Sequence, residues 1–425
     1  MQDADLWSRL LGLESPWTVG RIELNVREQK VEVYLEHGEG VLWPCPRCGK
    51  KLAVHDHKGE RVWRHLDTMA FQTWVHARPP RVECPDHGVK QVEVPWAEPD
   101  SHFTKFFERF AIDVNQETDT LGSSRILKLS WDEVFGIQKR AVERGLLRKP
   151  PLDLRLMGVD EKAVGHGQQY MTLVYNLEKG TVEWIGEDRK KDTLDGFFQT
   201  LTKEQKAAIK AAGLDMWEPF ISSIREHLPG AMDKMVFDPF HIVKHMNEAV
   251  NGVRKWEHRL LSADGESPLS GTRFWWLYGR ENLPERHRKG FALLQASHLK
   301  TGRAWAIKEA LRDLWKQESL VTGQLFWRWW HFWASHSQLE PVKKVAKMLK
   351  EHLAGVLNFF RHRITNAVAE GLNTRVEAIE RMAYGFRNKE HFRIAVLFRC
   401  GGLDLYPSVP SRTHPNTGRA RARQP

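Results

Sequence analysis

The chain has 425 residues and a formal net charge of +10, and 41% of its residues are hydrophobic and 28% are charged. At roughly 100–200 residues per domain, this length predicts two to four domains. The composition is that of a folded soluble protein, because no apolar run approaches the roughly 18 residues needed to cross a bilayer. The N-terminus lacks the pattern of a secretory signal, so a cytoplasmic protein is expected. The positive charge favours an anionic partner such as nucleic acid, because Lys and Arg that neutralise phosphates release counterions.

Residues 1–100 are predicted to form a zinc-binding β module, because short β-like runs alternate with Gly and Pro over residues 18–96. Four candidate zinc ligands lie in two knuckles with two residues between the ligands, Cys45-Pro-Arg-Cys48 and Cys84-Pro-Asp-His87. Three thiolates and an imidazole suit tetrahedral Zn²⁺, and a site with four protein ligands is structural. Buried free cysteines are the alternative interpretation, and three histidines between the knuckles are alternative fourth ligands: His55, His57 and His65. Cys400 stands apart and is expected in a core.

Residues 101–150 are predicted to be a helix-turn-helix segment. Apolar residues follow helical spacing, and Ser130 with Glu133 forms a capping-box pattern at the start of the last helix. A connector bundle with a solvated charged face is the alternative interpretation. One side of the last helix has three basic residues that suit insertion into the major groove of DNA: Lys139, Arg140 and Arg144.

A different pattern begins at Pro150-Pro151, where a domain boundary is predicted because proline interrupts regular structure. Residues 151–250 contain three β-rich runs, then a helix, a short strand, a helix and another strand. Asp160 and Asp215 each follow an apolar run, and their side chains would meet if the first and fourth strands were neighbours, as in a ribonuclease-H-like α/β domain. Two adjacent carboxylates suit Mg²⁺, which prefers oxygen ligands. A turn or cap residue is the alternative interpretation of either Asp.

Four ordered blocks resemble the transposases of the ISL3 insertion-sequence family. They are GVDEK at 158–162, LDMWEPF at 214–220, VFDPFHIVKHMN at 236–247 and NAVAEGLNTRVEAIERMAYGFRN at 366–388. Together with the two knuckles, the resemblance spans nearly the whole chain, and the last block is its most specific part. It implies a DDE-type enzyme with a ribonuclease-H-like catalytic domain, in which Asp160, Asp215 and Glu370 hold two Mg²⁺ (or Mn²⁺) ions.

The second acid is open between two candidates. Asp238 also follows an apolar strand, and its block is as strong as the one around Asp215. Strand order favours Asp215, because the second acid of a ribonuclease-H-like sheet follows the fourth strand and Asp238 would follow the fifth. His241 is expected in a supporting role, in which it orients a carboxylate or a phosphate or caps the following helix.

Residues 361–404 are predicted to be the last part of the catalytic domain. Asn366, Glu370 and Asn373 fall three or four residues apart and therefore share one helix face. We expect this face to look toward the Asp pair. Several side chains of the same block are predicted to bind DNA through amide or bidentate contacts: Asn373, Arg375, Arg381, Arg387 and Asn388. Ordinary surface charge is the alternative for the arginines.

Between the two parts of the catalytic domain, residues 251–360 predict a helical insertion rich in Trp. Its tryptophans are expected as core residues, and three are alternative candidates for stacking on a DNA base: Trp329, Trp330 and Trp333. Residues 405–425 are predicted to be a disordered basic tail, because they offer little apolar surface to bury. The predicted fold class is multidomain α+β.

The predicted function is that of a transposase that binds the terminal inverted repeats of an insertion sequence, cleaves DNA strands and joins the 3′ ends to target double-stranded DNA. A homodimer or higher oligomer in the synaptic complex, nucleoid association in a bacterium and no membrane partner are expected. A zinc-containing DNA-binding regulator is one alternative, although it would leave the acids unexplained. The others are a ribonuclease-H-like nuclease without strand transfer and an inactive transposase that still binds the ends.

Overall fold

The computed structural model describes residues 3–164, 169–265, 267–364 and 367–408. The chain divides into two compact units, in which unit 1 comprises the residues up to Lys149 and from Leu403 onward, and unit 2 comprises the residues between them. The first break lies directly before the Pro150-Pro151 pair. Among the helices of the described residues, none is long and apolar enough to cross a membrane.

The first hundred residues of unit 1 form one helix and nine strands: α1 (Asp3–Leu11), β1 (Trp17–Asn25), β2 (Lys30–His37), β3 (Trp43–Pro44), β4 (Lys51–Leu52), β5 (Val54–His57), β6 (Arg61–Thr68), β7 (Phe71–Ala77), β8 (Pro80–Cys84) and β9 (Gly88–Gln91). The strands build three small sheets, β1-β2-β7-β6, β3-β4 and β5-β8-β9. Trp17, Trp43, Trp63 and Trp96 lie in their shared core. The β-rich module is therefore confirmed, while α1, which packs against β1, was missed because it precedes the patterned region.

The helical part of unit 1 consists of α2 (Lys105–Glu117), α3 (Thr120–Leu127) and α4 (Trp131–Arg148), and each of the three contacts the other two. Ser130 and Glu133 form the predicted capping box at the start of α4. A turn of three residues, 128–130, joins α3 to α4, as the sequence pattern indicates.

The chain returns to unit 1 after residue 402. Leu405 is only 2% exposed, the Tyr406 hydroxyl donates to Asp113 Oδ1 at 2.6 Å, and Arg109 donates to the Pro407 carbonyl at 3.3 Å. The expectation that the disordered tail starts at residue 405 is therefore wrong for residues 405–408, because Leu405 and Tyr406 supply the buried contacts that the composition of the whole tail conceals. Residues 409–425 lie outside the described residues.

The sheet of unit 2 and the helices between its strands are β10 (Leu156–Ala163), β11 (Tyr170–Asn176), β12 (Thr181–Glu187), α5 (Lys191–Gln199), α6 (Lys203–Ala208), β13 (Ala211–Leu214), α7 (Glu218–His227), α8 (Ala231–Lys234) and β14 (Met235–Phe237). The strand order is β12-β11-β10-β13-β14. The pairs β10-β11 and β11-β12 are antiparallel, whereas β13 and β14 run parallel to β10. The predicted pairing of the first and fourth strands is confirmed, so the carboxyl ends of three parallel strands lie at one edge of the sheet.

The rest of unit 2 is helical: α9 (Pro239–Ala263), α10 (Arg273–Leu277), α11 (Glu285–Ala296), α12 (Lys300–Arg312), α13 (Leu320–Ser335), α14 (Glu340–Glu351), α15 (Leu353–Leu357), α16 (Phe359–His362), α17 (Ala367–Met382) and α18 (Lys389–Cys400), with single 3₁₀ turns at Arg280–Asn282 and Leu314–Lys316. Helices α12 and α14 pack on α9, and α18 packs on β12. Trp330 is fully buried, and its indole N–H donates to the Ile307 carbonyl at 2.9 Å. Trp330 is therefore a core residue and cannot stack on a DNA base, whereas Trp329 is exposed.

Candidate active site

The four predicted zinc ligands converge in unit 1. Their ligand atoms all lie within 4.8 Å of one another, and we call this set the zinc cluster: Cys45, Cys48, Cys84 and His87. Cys84 Sγ is 3.4 Å from His87 Nδ1 and 3.7 Å from Cys48 Sγ. Gly49 and Gly88 have φ angles of +73° and +66°, a left-handed conformation that lets each knuckle fold back on itself. The donor set and its convergence fit a structural Zn²⁺.

The alternative histidine ligands have other partners. His65 Nδ1 is 2.8 Å from Thr104 Oγ1, and His57 Nε2 is 2.9 Å from His37 Nε2. Backbone N–H groups of Arg47 and Cys48 lower the pKa of the Cys45 thiol to about 7, which favours the thiolate form that binds metal. Cys400 is buried away from the cluster, as predicted for a core residue.

Three carboxylates lie at the carboxyl edge of the parallel strands in unit 2. Asp215 directly follows β13, and Asp238 directly follows β14. Asp160 lies within β10 and not at its end as predicted, because β10 continues to Ala163 through its pairing with β11. The parallel pairing of β10 with β13, however, stops at Gly158. Asp160 therefore lies just beyond the paired segment, level with the other two acids.

His241 joins two of these acids. It lies in the first turn of α9, whose N-cap is Asp238. His241 Nδ1 is 2.6 Å from Asp215 Oδ2, and its Nε2 is 3.8 Å from Asp238 Oδ2. One ligand atom from each of these three side chains lies within 4.8 Å of the others. We call Asp160, Asp215, Asp238 and His241 the acid cluster.

The charges of the acid cluster are strongly coupled. Burial and the charge of Asp215 raise the pKa of Asp160 to about 6, although hydrogen bonds from Asn373 and from the Glu161 N–H act in the opposite direction. Burial lowers the pKa of His241, but its hydrogen bond to Asp215 and the charges of the three acids raise it overall above the ordinary value. Like charges held together in a half-buried place cost free energy unless a cation joins them. The donor set therefore fits a divalent cation with oxygen ligands.

Helix α17 is attached to this cluster through Asn373. The Asn373 side-chain amide donates to Asp160 Oδ2, and its carbonyl oxygen accepts from the fully buried Tyr175 hydroxyl at 2.5 Å. Lys162 also ties β10 to the same helix, because its ammonium lies 3.2 Å from Glu377 and 3.6 Å from Glu380. The predicted orientation of this helix face is confirmed for Asn373. The Tyr175 and Lys162 contacts were missed, since no local pattern marks partners so far apart in the chain.

Glu370 lies in the first turn of α17, about one turn before Asn373, and its side chain is exposed. Among the described residues, the two groups of side chains that are close enough to share a metal ion do not include Glu370. Its backbone carbonyl accepts from the Thr374 hydroxyl at 2.9 Å. Asn366, expected on the same face, lies outside the described residues.

The predicted DNA contacts on α17 and beyond are mostly exposed. Arg375, Arg381 and Arg387 are on the surface, and Arg381 pairs with Glu377 at 3.1 Å. Asn388 is the N-cap of α18, where its side chain accepts from the Glu390 N–H at 2.8 Å. Its amide oxygen is therefore already used in the fold.

The basic side of α4 is only partly available. Lys139 is exposed, but Arg140 Nη2 pairs with Glu108 at 2.6 Å, and Arg144 pairs with both Glu98 and Glu108. Arg144 is 7% and Glu108 1% exposed. The expectation that Arg140 and Arg144 face DNA is therefore not met, because the buried Glu108 carboxylate requires their positive charges.

Comparisons with known proteins agree with these two sites. The model of the DDE transposases of the ISL3 family, described as "Transposase", matches residues 157–396, which contain the whole acid cluster. A second model, described as the "zinc-finger of transposase IS204/IS1001/IS1096/IS1165", matches residues 42–87, which contain the zinc cluster.

Two named relatives align over most of the chain. The transposase for insertion sequence element IS1557 of Mycobacterium tuberculosis is 26% identical over 98% of this chain and 99% of its own length. The transposase for insertion sequence element IS1001 of Bordetella parapertussis is 26% identical over 86% of this chain and 90% of its own. Because the first model covers more than half of the chain and encloses the acid cluster, the chain belongs to the ISL3 family of transposases.

Proposed function

We propose that this protein is a DDE transposase that binds the terminal inverted repeats of an insertion sequence, cleaves DNA strands and joins the 3′ ends to target DNA. The observation that supports the proposal best is the acid cluster, in which Asp160 and Asp215 are coupled at the edge of parallel strands. A protein that only bound DNA would not need these carboxylates, because the repulsion between their like charges destabilises the fold.

The strand order supports a ribonuclease-H-like core. In chain order, the sheet has three antiparallel strands (β10, β11 and β12) and then two strands parallel to β10 (β13 and β14). This is the order expected of a ribonuclease-H-like sheet in which the second acid, Asp215, follows the fourth strand. The helices between β14 and α17 then form an insertion within this core, and α17 returns to β10 through Asn373 and Lys162.

The acid cluster has the donors for Mg²⁺ or Mn²⁺. In the proposed arrangement Asp160 and Asp215 are ligands and Asp238 is the alternative to Asp215, while His241 holds Asp215 in place through its 2.6 Å contact. Two divalent ions bound there would lower the pKa of an attacking water or 3′-hydroxyl and stabilise the leaving oxygen. The protein's own contribution is to hold the carboxylates fixed, and Asp160 is still mostly ionised at neutral pH because its raised pKa of about 6 lies below 7.

Glu370 is proposed as the third acid. It shares the face of α17 with Asn373, which touches Asp160, and residues three apart on a helix are neighbours. Because its side chain is exposed, it is free to turn toward cations and DNA bound at the strand edge.

The other parts of the chain are proposed to position DNA. The zinc cluster stabilises the β module, and the short turn between α3 and α4 fits a helix-turn-helix, for which exposed Lys139 is the candidate contact. Arg375, Arg381 and Arg387 are exposed near the acid-bearing helix and are proposed to contact phosphates. Assembly of two or more copies on paired ends, in association with the bacterial nucleoid, follows from the reaction proposed.

The substitution Asp160→Asn tests the proposal. The substrates are duplexes made from the DNA that flanks the gene on either side, and the readouts are end binding, strand cleavage and joining of pre-cleaved ends to a plasmid. We expect cleavage and joining to fall at least a thousandfold while binding persists, because the amide keeps the shape but loses the charge. Asp264→Asn, which alters an exposed acid at the end of α9, is the matched control and should leave all three unchanged.

The outcomes separate the alternatives. Cleavage without joining by the wild-type chain would indicate a nuclease, and binding without either would indicate a regulator or an inactive transposase. Retained joining by the Asp160→Asn variant would contradict the proposed site.

A second pair of variants decides between the middle acids. We expect Asp215→Asn to reduce cleavage more than Asp238→Asn, because the Asp238 carboxylate already caps α9 through the Phe240 N–H at 2.9 Å and is almost fully buried. The reverse ranking would assign Asp238 as the second ligand.

A further inference from the structure

An open cavity of about 720 Å³ lies in unit 2 at the carboxyl edge of the sheet, and Tyr170, Arg189 and Trp217 are among its lining residues. Two contacts relate it to the candidate catalytic acids. Trp217 is the second residue after Asp215, and Arg189 Nη1 donates to Glu161 Oε1 at 2.8 Å. Glu161 follows Asp160 in β10, so its side chain lies on the opposite face of the sheet from that of Asp160. A ligand in this cavity would therefore lie at the edge of the sheet that carries the reacting groups, on its other face.

The cavity contains an aromatic and guanidinium platform. The Arg189 guanidinium carbon lies 3.9 Å from the centre of the Tyr170 ring and 4.9 Å from that of the Trp217 ring. The Trp217 indole N–H donates to the Arg189 carbonyl at 3.1 Å. Although the indole is held at one edge in this way, 38% of Trp217 remains exposed. The platform therefore presents an aromatic area that is accessible to a ligand.

The charges of the lining residues balance. Three cations (Arg189, Lys190 and Lys191) face three acids (Asp188, Asp192 and Glu218). The lysines are already paired, Lys190 with Asp188 at 2.9 Å and Lys191 with Asp195 at 2.6 Å. Such a lining does not favour an anionic phosphate. It suits a flat, uncharged heterocycle whose edge offers hydrogen-bond donors and acceptors, and the volume lies in the range of roughly 300–1,000 Å³ that is usual for small-molecule sites.

We infer that this cavity receives one unstacked nucleobase of the DNA end, from a nucleotide near the phosphodiester that is cut. The inference rests on the proposed function and adds a base-binding subsite to it. Bases stack on aromatic side chains whatever their sequence, and Arg contributes cation–π attraction. Removing a base from the duplex stack next to the cleavage site would also free the strand to reach the acids. Trp217 is thus assigned as the stacking residue, with Arg189 and Tyr170 holding it in place.

The experiment measures cleavage and contact separately in the full-length zinc-loaded protein. Single-turnover cleavage is measured on intact end duplexes and on duplexes with one abasic nucleotide at each position near the cut. Contact is measured by ultraviolet cross-linking of 5-iododeoxyuridine, placed at the same positions in duplexes and in single strands, with the cross-linked peptide identified by mass spectrometry. The variants are Trp217→Ala and Trp217→Phe.

Trp256→Ala is the matched control, because Trp256 is also exposed and also lies under a cation, Lys300 at 4.4 Å, but does not line this cavity. Trp329→Ala tests the exposed tryptophan of the insertion as the competing stacking residue. We expect Trp217→Ala to slow cleavage of the intact duplex about tenfold, whereas Trp217→Phe remains within about threefold of wild type because a ring is retained.

On the duplex that is abasic at the critical position, wild type and Trp217→Ala should cleave at the same rate within about twofold, since no base remains to stack. The cross-link should map to Trp217 and disappear in Trp217→Ala but not in Trp256→Ala. Unchanged cleavage by Trp217→Ala, a cross-link on Trp329 instead, or no cross-link in this cavity from any position overturns the inference. If the wild-type chain binds DNA but never cuts it, the proposed function fails, while the cross-link still decides on the base-binding subsite.

Discussion

Polar side chains are used in opposite ways in the two units. In unit 1 they form complete sets, since three thiols and an imidazole supply all four ligands of a tetrahedral site, and the buried Glu108 meets two arginines. In unit 2 burial and, after it, the charge of Asp215 raise the pKa of Asp160 to about 6. A site whose four ligands all come from the protein favours a structural role. A group of acids without a neutralising partner is typical of a site that binds cations and substrate.

The largest effect is expected when the zinc cluster of unit 1 loses a ligand. Replacing Cys84 with Ala removes one zinc ligand, and structural zinc contributes roughly 10–16 kcal/mol in small zinc-dependent folds. We expect the metal content to drop from about one zinc per chain to nearly none, and unit 1 to lose its cooperative unfolding and its DNA binding. Metal analysis and thermal unfolding measure this. Cys400→Ala is the control, because Cys400 is buried outside the cluster, and equal zinc loss in both variants would refute the assignment.

The next effect concerns the buried ion pairs. Arg144→Ala leaves Glu108, which is 1% exposed, with Arg140 but without Arg144. The loss of stability is therefore at most about 3–5 kcal/mol, the cost of breaking a buried pair from one side. Chemical denaturation of unit 1 should show this loss, whereas Lys139→Ala should change the stability by no more than about 0.5 kcal/mol but weaken DNA binding. If Arg144→Ala instead weakened DNA binding with unchanged stability, the original interpretation of α4 as basic on its DNA-facing side would be restored.

A smaller effect, on the pH dependence of stability, follows from the burial of Asp160 beside Asp215 in unit 2. The pKa of Asp160 is about 6 in the folded chain, above the ordinary Asp value of 3.8, so the folded state holds this proton more tightly than the unfolded state. The resulting stabilisation is present at low pH and is lost as the pH rises through about 6, by at most about 3 kcal/mol. Without divalent ions other than zinc, Asp160→Asn should therefore be more stable than wild type at pH 7.5.

The prediction is checked by chemical denaturation of wild type and Asp160→Asn at several pH values. Effects of pH on the zinc cluster are common to both proteins and therefore cancel in the difference between their stabilities. The difference in stability should shrink toward pH 4, and added Mg²⁺ should stabilise wild type more than the variant. A difference that is independent of pH would show that Asp160 is not under electrostatic strain.

The smallest effect sharpens the role of Asn373. Its amide donates to Asp160 and is oriented by Tyr175, so we predict that its main role is to position the acid. We expect Asn373→Ala to slow cleavage about tenfold, equivalent to one hydrogen bond to a charged group of about 1.4 kcal/mol, and to shift the pH at half-maximal rate upward, because a bond to the ionised carboxylate is lost. Tyr175→Phe should shift the same pH less. A loss of DNA binding without a pH shift would instead support the predicted DNA contact.

Whether a contact could be predicted from the sequence depends on how far apart the two contacting residues lie in the chain. The zinc ligands lie in pairs three residues apart, so that a local turn fixes their geometry and the spacing alone identifies them. The neighbouring positions of the Asp160 and Asp215 strands followed from the order of the elements and the short connections that β sheets allow. The structure shows the convergence of the four predicted ligands and confirms that the two strands pair.

Interactions between distant residues were not accessible in the same way. Arg144 looks like a surface residue of a basic helix until Glu98 and Glu108 are placed against it, and Leu405 looks like part of a polar tail until Arg144 contacts its carbonyl. The Tyr175–Asn373 bond joins residues 198 positions apart, and no periodicity of either segment encodes it. Tertiary contacts of this kind decide whether a charged side chain stabilises the fold or is free to bind a substrate.

The return of the chain to unit 1 has a consequence for synthesis on the ribosome. Unit 2 is inserted between two segments of unit 1, and the second segment supplies the Leu405 carbonyl to Arg144 and the Tyr406 hydroxyl to Asp113. The helices α2 and α4 are translated first but obtain these partners only when residues 405 and 406 emerge, after all of unit 2 has been made. A product that ends before residue 405 therefore leaves the first unit without these two contacts.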